Sequence, residues 1–170
     1  MTFFELAQRR WSVRKYADRP VEEDVLQKVL EAGRLAPTAM NYQPQKIFVL
    51  KSAEAMKKLR GATRMAFNAP MALLICYDKT ISWKAHSFGD DHEGGPIDAA
   101  IVTTMMMCQA TELGLGTLWV RGYKTADILR AFPMPDGIEP VCILLLGYPY
   151  WDGPKNRTPR KPLEETVTVL

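Results

Sequence analysis

From Val21 onward the apolar residues Val25, Leu26, Val29, Leu30, Ala32 and Leu35 recur at three- and four-residue steps, a spacing that predicts a helix. Glu22, Glu23 and Asp24 stand at its positive end, and Pro37 forces it to stop. Ahead of it, Thr2 and Glu5 form a capping-box pattern that opens a short helix through Leu6 to Arg9. Ser12 to Pro20 reads as extended or turning chain. Ile47 to Leu50 predicts a short strand, Ser52 caps a helix carrying Met56 and Leu59, and Met71 to Tyr77 is a continuous apolar strand. Ile97, Ala100, Ile101, Thr104, Met105, Cys108 and Glu112 trace a helix that is apolar over much of its circumference, placing it centrally or at an interface. Its three consecutive methionines read as core filler. Gly114 to Gly116 end it; Thr117 to Val120 is a strand, Thr125 to Phe132 a helix and Val141 to Leu146 a buried strand. Helices separate most strands, so a layered mixture of α and β structure follows.

Two stretches break the pattern. Residues 80–96 are rich in Gly, Asp and His, carry Trp83 and Phe88, and are long enough for a functional flap. Tyr148 to Leu170 contains four prolines and a β-prone end, Thr166 to Leu170. Such a tail cannot build its own core, so it is expected to reach across a neighbouring subunit or lie on the surface.

Composition narrows the class. At 170 residues, 47% hydrophobic and 24% charged, the chain has ordinary globular values and room for one core. A net charge of +3 is too small for a strong overall field, so anion recognition has to come from local clusters. No apolar run approaches the roughly 20 residues of a membrane helix, which points to a cytoplasmic protein with no membrane partner. Cys76, Cys108 and Cys142 sit in apolar runs without a C-x-x-C pair and read as buried thiols. His86 and His92 with Asp90 and Asp91 match no standard metal spacing, so no metal is expected. The basic stretch around Trp11 and Tyr16 is too short to suggest nucleic acid.

The sharpest chemistry lies in Arg10-Trp11-Ser12-Val13-Arg14. In extended chain, alternation puts Arg10, Ser12 and Arg14 on one side, and two forked cations flanking a hydroxyl suit a phosphate monoester. Arg157, Arg160 and Lys161 form a second basic cluster in the tail that could close on the same dianion. The usual phosphate cradles are absent: there is no G-x-x-x-x-G-K-[ST], and Gly114-Leu115-Gly116 follows a helix.

Taken in order, R-R-W-S-V-R-K-Y at Arg9 to Tyr16, L-A-P-T-A-M-N-Y-Q-P-Q at Leu35 to Gln45 and F-N-A-P at Phe67 to Pro70 resemble the nitroreductase superfamily, above all its short clostridial and archaeal-type members. I-D-A-A-I-V-T-T at Ile97 to Thr104, E-L-G-L-G-T-L-W-V at Glu112 to Val120, L-L-L-G-Y-P at Leu144 to Pro149 and R-K-P-L-E-E at Arg160 to Glu165 extend the resemblance over nearly the whole chain. It implies a three-layer α+β fold whose central sheet is mixed but mostly antiparallel and flanked by helices. It also implies a single domain over 1–170 whose tail, 147–170, is exchanged across a homodimer.

The implied cofactor is FMN. Arg10, Ser12 and Arg14 would hold its phosphate together with Arg160 and Lys161, and Trp11 would belong to the same cofactor site. Pro37, Thr38, Ala39, Asn41 and Gln43 would line the flavin from the partner subunit. Asn68 would pair with the ribityl chain or the pyrimidine edge, and Val120, Arg121 and Gly122 would set backbone groups against the flavin. Many relatives have an acidic residue where this chain has Arg121, so only the backbone role carries over there. Met40, Tyr42 and Trp83 are the candidate walls for a flat acceptor, with Trp119 a further possibility. The implied reaction is ping-pong: NAD(P)H reduces the flavin, then a nitroaromatic, quinone or similar electron-poor acceptor takes the electrons in the same space, with no obligatory side-chain nucleophile. Alternatives on the same scaffold are a reductive dehalogenase, a flavin-fragmenting enzyme, or an FMN-binding redox sensor or carrier without efficient turnover.

Overall fold

The structure, a computed structural model, describes residues 1–153 and 158–170. Helix α1 (Phe3–Arg9) opens on the expected capping box, the Glu5 N–H donating to the Thr2 hydroxyl and the Thr2 N–H to the Glu5 carboxylate. Then come α2 (Glu23–Arg34), β1 (Gln45–Leu50), α3 (Ala53–Ala62), β2 (Met71–Asp78), α4 (Gly95–Glu112), β3 (Gly116–Val120), α5 (Thr125–Ala131) and β4 (Ile138–Gly147). Ser52 caps α3 by accepting from the Ala55 N–H.

The sheet runs β1-β2-β4-β3, and each of these pairings is antiparallel. A parallel bridge between Ser12 and Thr117 lays the basic motif along the outer edge of β3, which makes the sheet mixed. On one face, Leu73, Ile75, Leu144 and Leu146 pack with Leu26 and Val29 of α2 and Val102 and Met106 of α4. On the other, Leu74, Cys76, Ile143 and Leu145 pack with Met56 and Leu59 of α3 and Ile128 of α5. Burial on both faces explains why Met71 to Tyr77 and Val141 to Leu146 are unbroken apolar runs rather than alternating ones. Each such buried side chain contributes about 1.5–3 kcal/mol.

Strand β4 carries a bulge. Ile75 pairs with Cys142 but Cys76 with Pro140, so Val141 is the extra residue. Pro140, which has no N–H to give, sits where the ladder is already interrupted.

Several expectations need correcting. Of the methionine run only Met106 is fully buried; Met105 is exposed and Met107 half-buried, because α4 presents one flank to the sheet and leaves Ile97, Ile101 and Met105 uncovered. Cys76 and Cys142 are buried, their thiols pushed up to about 12 and about 11 by burial, whereas Cys108 is only half-buried. Thr166 to Leu170 forms no strand among the described residues; Val169 and Leu170 stand almost fully in solvent. Residues 80–96, expected as a flap or a surface loop, carry local order of their own. A short 3-10 turn (Ala85–Phe88) and a bridge between Lys84 and Glu93 organise them, and Glu93 accepts from both the Ser82 and Tyr77 hydroxyls. No helix among the described residues is long and apolar enough to cross a membrane.

Candidate active site

Val13 gives the basic motif its direction. Its N–H donates to the Thr117 carbonyl at 2.9 Å, and its side chain is wholly buried against Gly116, where a Cβ would lie 2.5 Å from Val13 Cγ2. With Val13 turned inward, its neighbours Ser12 and Arg14 face out, and Arg10 leaves the end of α1 beside them. All three line one cavity of about 710 Å³, and Thr158 and Arg160 of the tail line it too. Three guanidinium groups and two hydroxyls thus share a space that no carboxylate among the described residues lines. Trp11 and Trp151, ring centroids 5.1 Å apart and inclined at 62°, form the aromatic part of the wall. Arg14 also bonds the Ser12 carbonyl at 3.3 Å, and Arg160 the Thr158 carbonyl at 3.1 Å.

Lys161 does not join the lining of this cavity. It pairs with Glu165 at 3.3 Å, one helical turn along the tail. Arg157, the remaining member of the second basic cluster, lies outside the described residues.

Asn68 lies in the segment that leads into β2, and Val120 to Gly122 close β3 and the turn after it. The Thr63 hydroxyl donates to the Gly122 carbonyl at 2.7 Å, tying the segment before β2 to the end of β3. Phe67 and Asn68 both take left-handed backbone, φ 43° and 50°, which leaves Asn68 exposed. The Arg14 guanidinium lies 5.8 Å from the Phe67 ring centroid, joining this segment to the basic cavity. Arg121 turns away from it: its guanidinium donates to the carbonyl of Val141, the bulged residue of β4. Its side chain satisfies backbone, and only its main chain is left at the strand end.

Pro37 to Gln43 lie elsewhere. They line neither this cavity nor the smaller one of about 250 Å³ beside Arg9 and Gly116. Thr38 and Ala39 are half-buried, while Met40, Asn41, Tyr42 and Gln43 stand exposed in a turn with φ of 51°, 57° and 52° at Met40, Asn41 and Gln43. Trp83 is half-buried, with the rings of His92 and Phe88 at 5.5 and 6.3 Å. Within one chain, then, Arg10, Ser12, Arg14 and Arg160 converge, and neither Lys161 nor the turn lines their cavity. Trp119 packs against the core.

The sequence model of the Nitroreductase family matches residues 7–70 and 60–148. The chain belongs to the nitroreductase family. A nitroreductase family protein of Clostridium difficile 630 has 42% identical sequence and a TM-score of 0.93, the alignment covering 99% of this chain and 98% of that one. A Methanothermobacter thermautotrophicus protein, whose name pairs NADH dehydrogenase with NAD(P)H nitroreductase, is 31% identical over 88% of this chain and 78% of its own. A Bacillus subtilis protein named FMN reductase [NAD(P)H] is 29% identical over 95% of this chain and 71% of its own.

Residues of this nitroreductase that sequence reasoning passed over are Thr63, Trp151, Thr158 and Asp98. Thr63 and Thr158 carry no local signal. Trp151 could have been suspected as an aromatic beside the basic tail. Asp98 was visible as a lone carboxylate at the start of an apolar helix.

Proposed function

We propose that this chain is an FMN-dependent NAD(P)H oxidoreductase, working in the cytoplasm as a homodimer and reducing nitroaromatic, quinone or similar electron-poor acceptors by a ping-pong scheme. The observation that carries the reading is the cavity in which Arg10, Arg14 and Arg160 converge with no carboxylate among the described residues in its lining. Uncompensated guanidinium groups with two hydroxyls fit a phosphate dianion, and Trp11 and Trp151 fit an aromatic nucleotide-like ligand better than a free inorganic ion. The Bacillus subtilis relative's name adds FMN and NAD(P)H to that chemistry. When bound, FMN supplies two-electron hydride chemistry with NAD(P)H and an acceptor in turn.

The protein's share is binding and orientation. Arg10, Ser12, Arg14 and Arg160 would hold the phosphate. The Asn68 amide, able to donate and accept, would pair with the ribityl chain or the pyrimidine edge, and the backbone of Val120 to Gly122 would stand against the flavin's N5 and O4 edge. Pro37, Thr38, Ala39, Asn41 and Gln43 would close the site from the partner, with Met40, Tyr42 and Trp83 walling the acceptor space. Exposed apolar side chains support a second subunit: Phe3 and Phe4 of α1, Ile97 and Ile101 of α4, and Val169 and Leu170 of the tail. Three free thiols suit a reducing compartment.

Purified native protein should carry the flavin spectrum, bleach with NAD(P)H under anaerobic conditions and recover on adding a nitroaromatic. Replacing Arg14 and Arg160 together with alanine should raise the FMN Kd by at least about 100-fold, since each charge-assisted contact contributes about 1.5–3 kcal/mol. Unchanged flavin affinity in that double variant would sink the reading.

A further inference from the structure

Asp98 is the one fully buried carboxylate among the described residues, 2% exposed, in the first turn of α4. Its Oδ1 accepts from the Ala39 N–H at 2.9 Å, a bond across 59 positions of chain. Its Oδ2 is buried too and meets no donor among the described residues. Burial raises this carboxyl above its ordinary range, with the Ala39 N–H pulling the other way. Such a group is costly to the fold, because an apolar side chain of similar size would bury there without an unmet oxygen. What the carboxylate contributes is placement.

The turn it holds is conformationally demanding. Met40, Asn41 and Gln43 all have left-handed φ, uncommon for residues other than glycine. Inside the turn, Asn41 N–H donates to the Thr38 carbonyl, Tyr42 N–H to the Ala39 carbonyl and Gln43 N–H to the Thr38 hydroxyl. These bonds fix its shape, and the Asp98 bond fixes where that shape sits on α4. The same helix start seats the other wall of the proposed acceptor space. Gly94 N–H donates to the Trp83 carbonyl at 2.8 Å, and a Cβ on Gly94 would come within 3.4 Å of both Ala39 Cβ and Trp83 O.

We propose that Asp98 is a positioning residue of the active site: its carboxylate holds turn 38–43 against the start of α4 and so sets where Met40, Asn41 and Tyr42 stand against the flavin. The proposal rests on the FMN reading above, but the tether can be read without flavin. Amide hydrogen exchange at Ala39, with and without added FMN, is measured in the full chain alongside the FMN Kd for native protein, Asp98→Leu and Asp98→Asn. Asp98→Leu keeps the size and removes the acceptor. It should speed Ala39 exchange at least about tenfold and raise the FMN Kd about tenfold, with Tm equal to or above native. Asp98→Asn keeps an oxygen acceptor and should hold both quantities within about threefold of native. Should Asp98→Leu not fold, Asp98→Ala is read in its place for exchange and Kd.

Ala39 protection that survives loss of the acceptor overturns the proposal, as does faster exchange with unchanged FMN affinity. Equal losses in Asp98→Leu and Asp98→Asn, following a fall in Tm, would mark a merely structural residue and overturn it as well. Native protein that binds no FMN would overturn the functional reading, and the flavin-free exchange arm tells that failure from failure of the tether.

Discussion

Arg160 and Lys161 are neighbours in sequence, yet Arg160 lines the basic cavity and Lys161 turns to Glu165. Charge type and alternation were enough to choose Arg10, Ser12 and Arg14, because one buried valine between two outward residues is a local property of extended chain. They could not choose between two adjacent cations whose partners depend on how the tail folds back. Asp98 stood out as a lone carboxylate, but its role was illegible for a similar reason: the N–H it accepts from lies 59 positions away. Arg121 had to await the register of β4, since the carbonyl it satisfies belongs to Val141, the bulged residue of a strand distant in sequence. Gly116 offers a direct test of the direction given by Val13. Gly116→Ala would push a Cβ to 2.5 Å from Val13 Cγ2, and it should cost about 1–3 kcal/mol in urea denaturation while loosening FMN several-fold. Gly61→Ala, in α3 with nothing within 4 Å of the new Cβ, is the control and should leave FMN affinity at the native value. Equal behaviour of the two variants would rule out the close approach as the cause.

Among elements, the periodic ones were readable from sequence. Helices α2 and α4 and the strands β2 and β4 are long enough for their spacing to be unambiguous, and both strands are apolar throughout because helices cover both faces of the sheet. The pairing order and the bulge were not readable, since nothing local to Pro140 says which strand it will interrupt. Where the tail leaves the sheet, Tyr148 donates its hydroxyl to Glu22, the residue capping α2, and Arg19 bonds the same carboxylate at 2.7 Å. Those two bonds, the tyrosine's first, hold the Glu22 carboxyl down to about 2 from an ordinary 4.5. A depressed carboxyl stabilises the folded chain in full above the ordinary value, and that contribution fades as pH falls from 4.5 through 2. Glu22→Gln should therefore melt below the native protein at pH 6 and converge with it towards pH 2. Two Tm curves running parallel over that range would show that the carboxylate adds nothing; because Glu22 is exposed, the expected gap is small.

At the scale of the whole molecule, α4 leaves Ile97, Ile101 and Met105 uncovered along one flank, at four-residue steps. Under the proposed dimer this flank is buried, and turn 38–43 reaches the partner's flavin only while the two chains are joined. Ile101→Glu would set a charge in that surface. Sedimentation should then shift from the dimer towards the 19.2 kDa chain, with flavin lost at the same protein concentrations. A native protein that holds FMN as a monomer would contradict this.

The covered sheet has one more implication. With α2 and α4 on one side and α3 and α5 on the other, the central strands β2 and β4 are covered on both faces, and the groups proposed to touch a ligand stand on connecting chain, on the tail or at the end of the edge strand β3. Residues that keep the protein folded and residues that choose its chemistry are thereby almost separate sets. Exchanging the segments around Met40 or Trp83 could retune which oxidant is accepted without reopening the question of whether the chain folds.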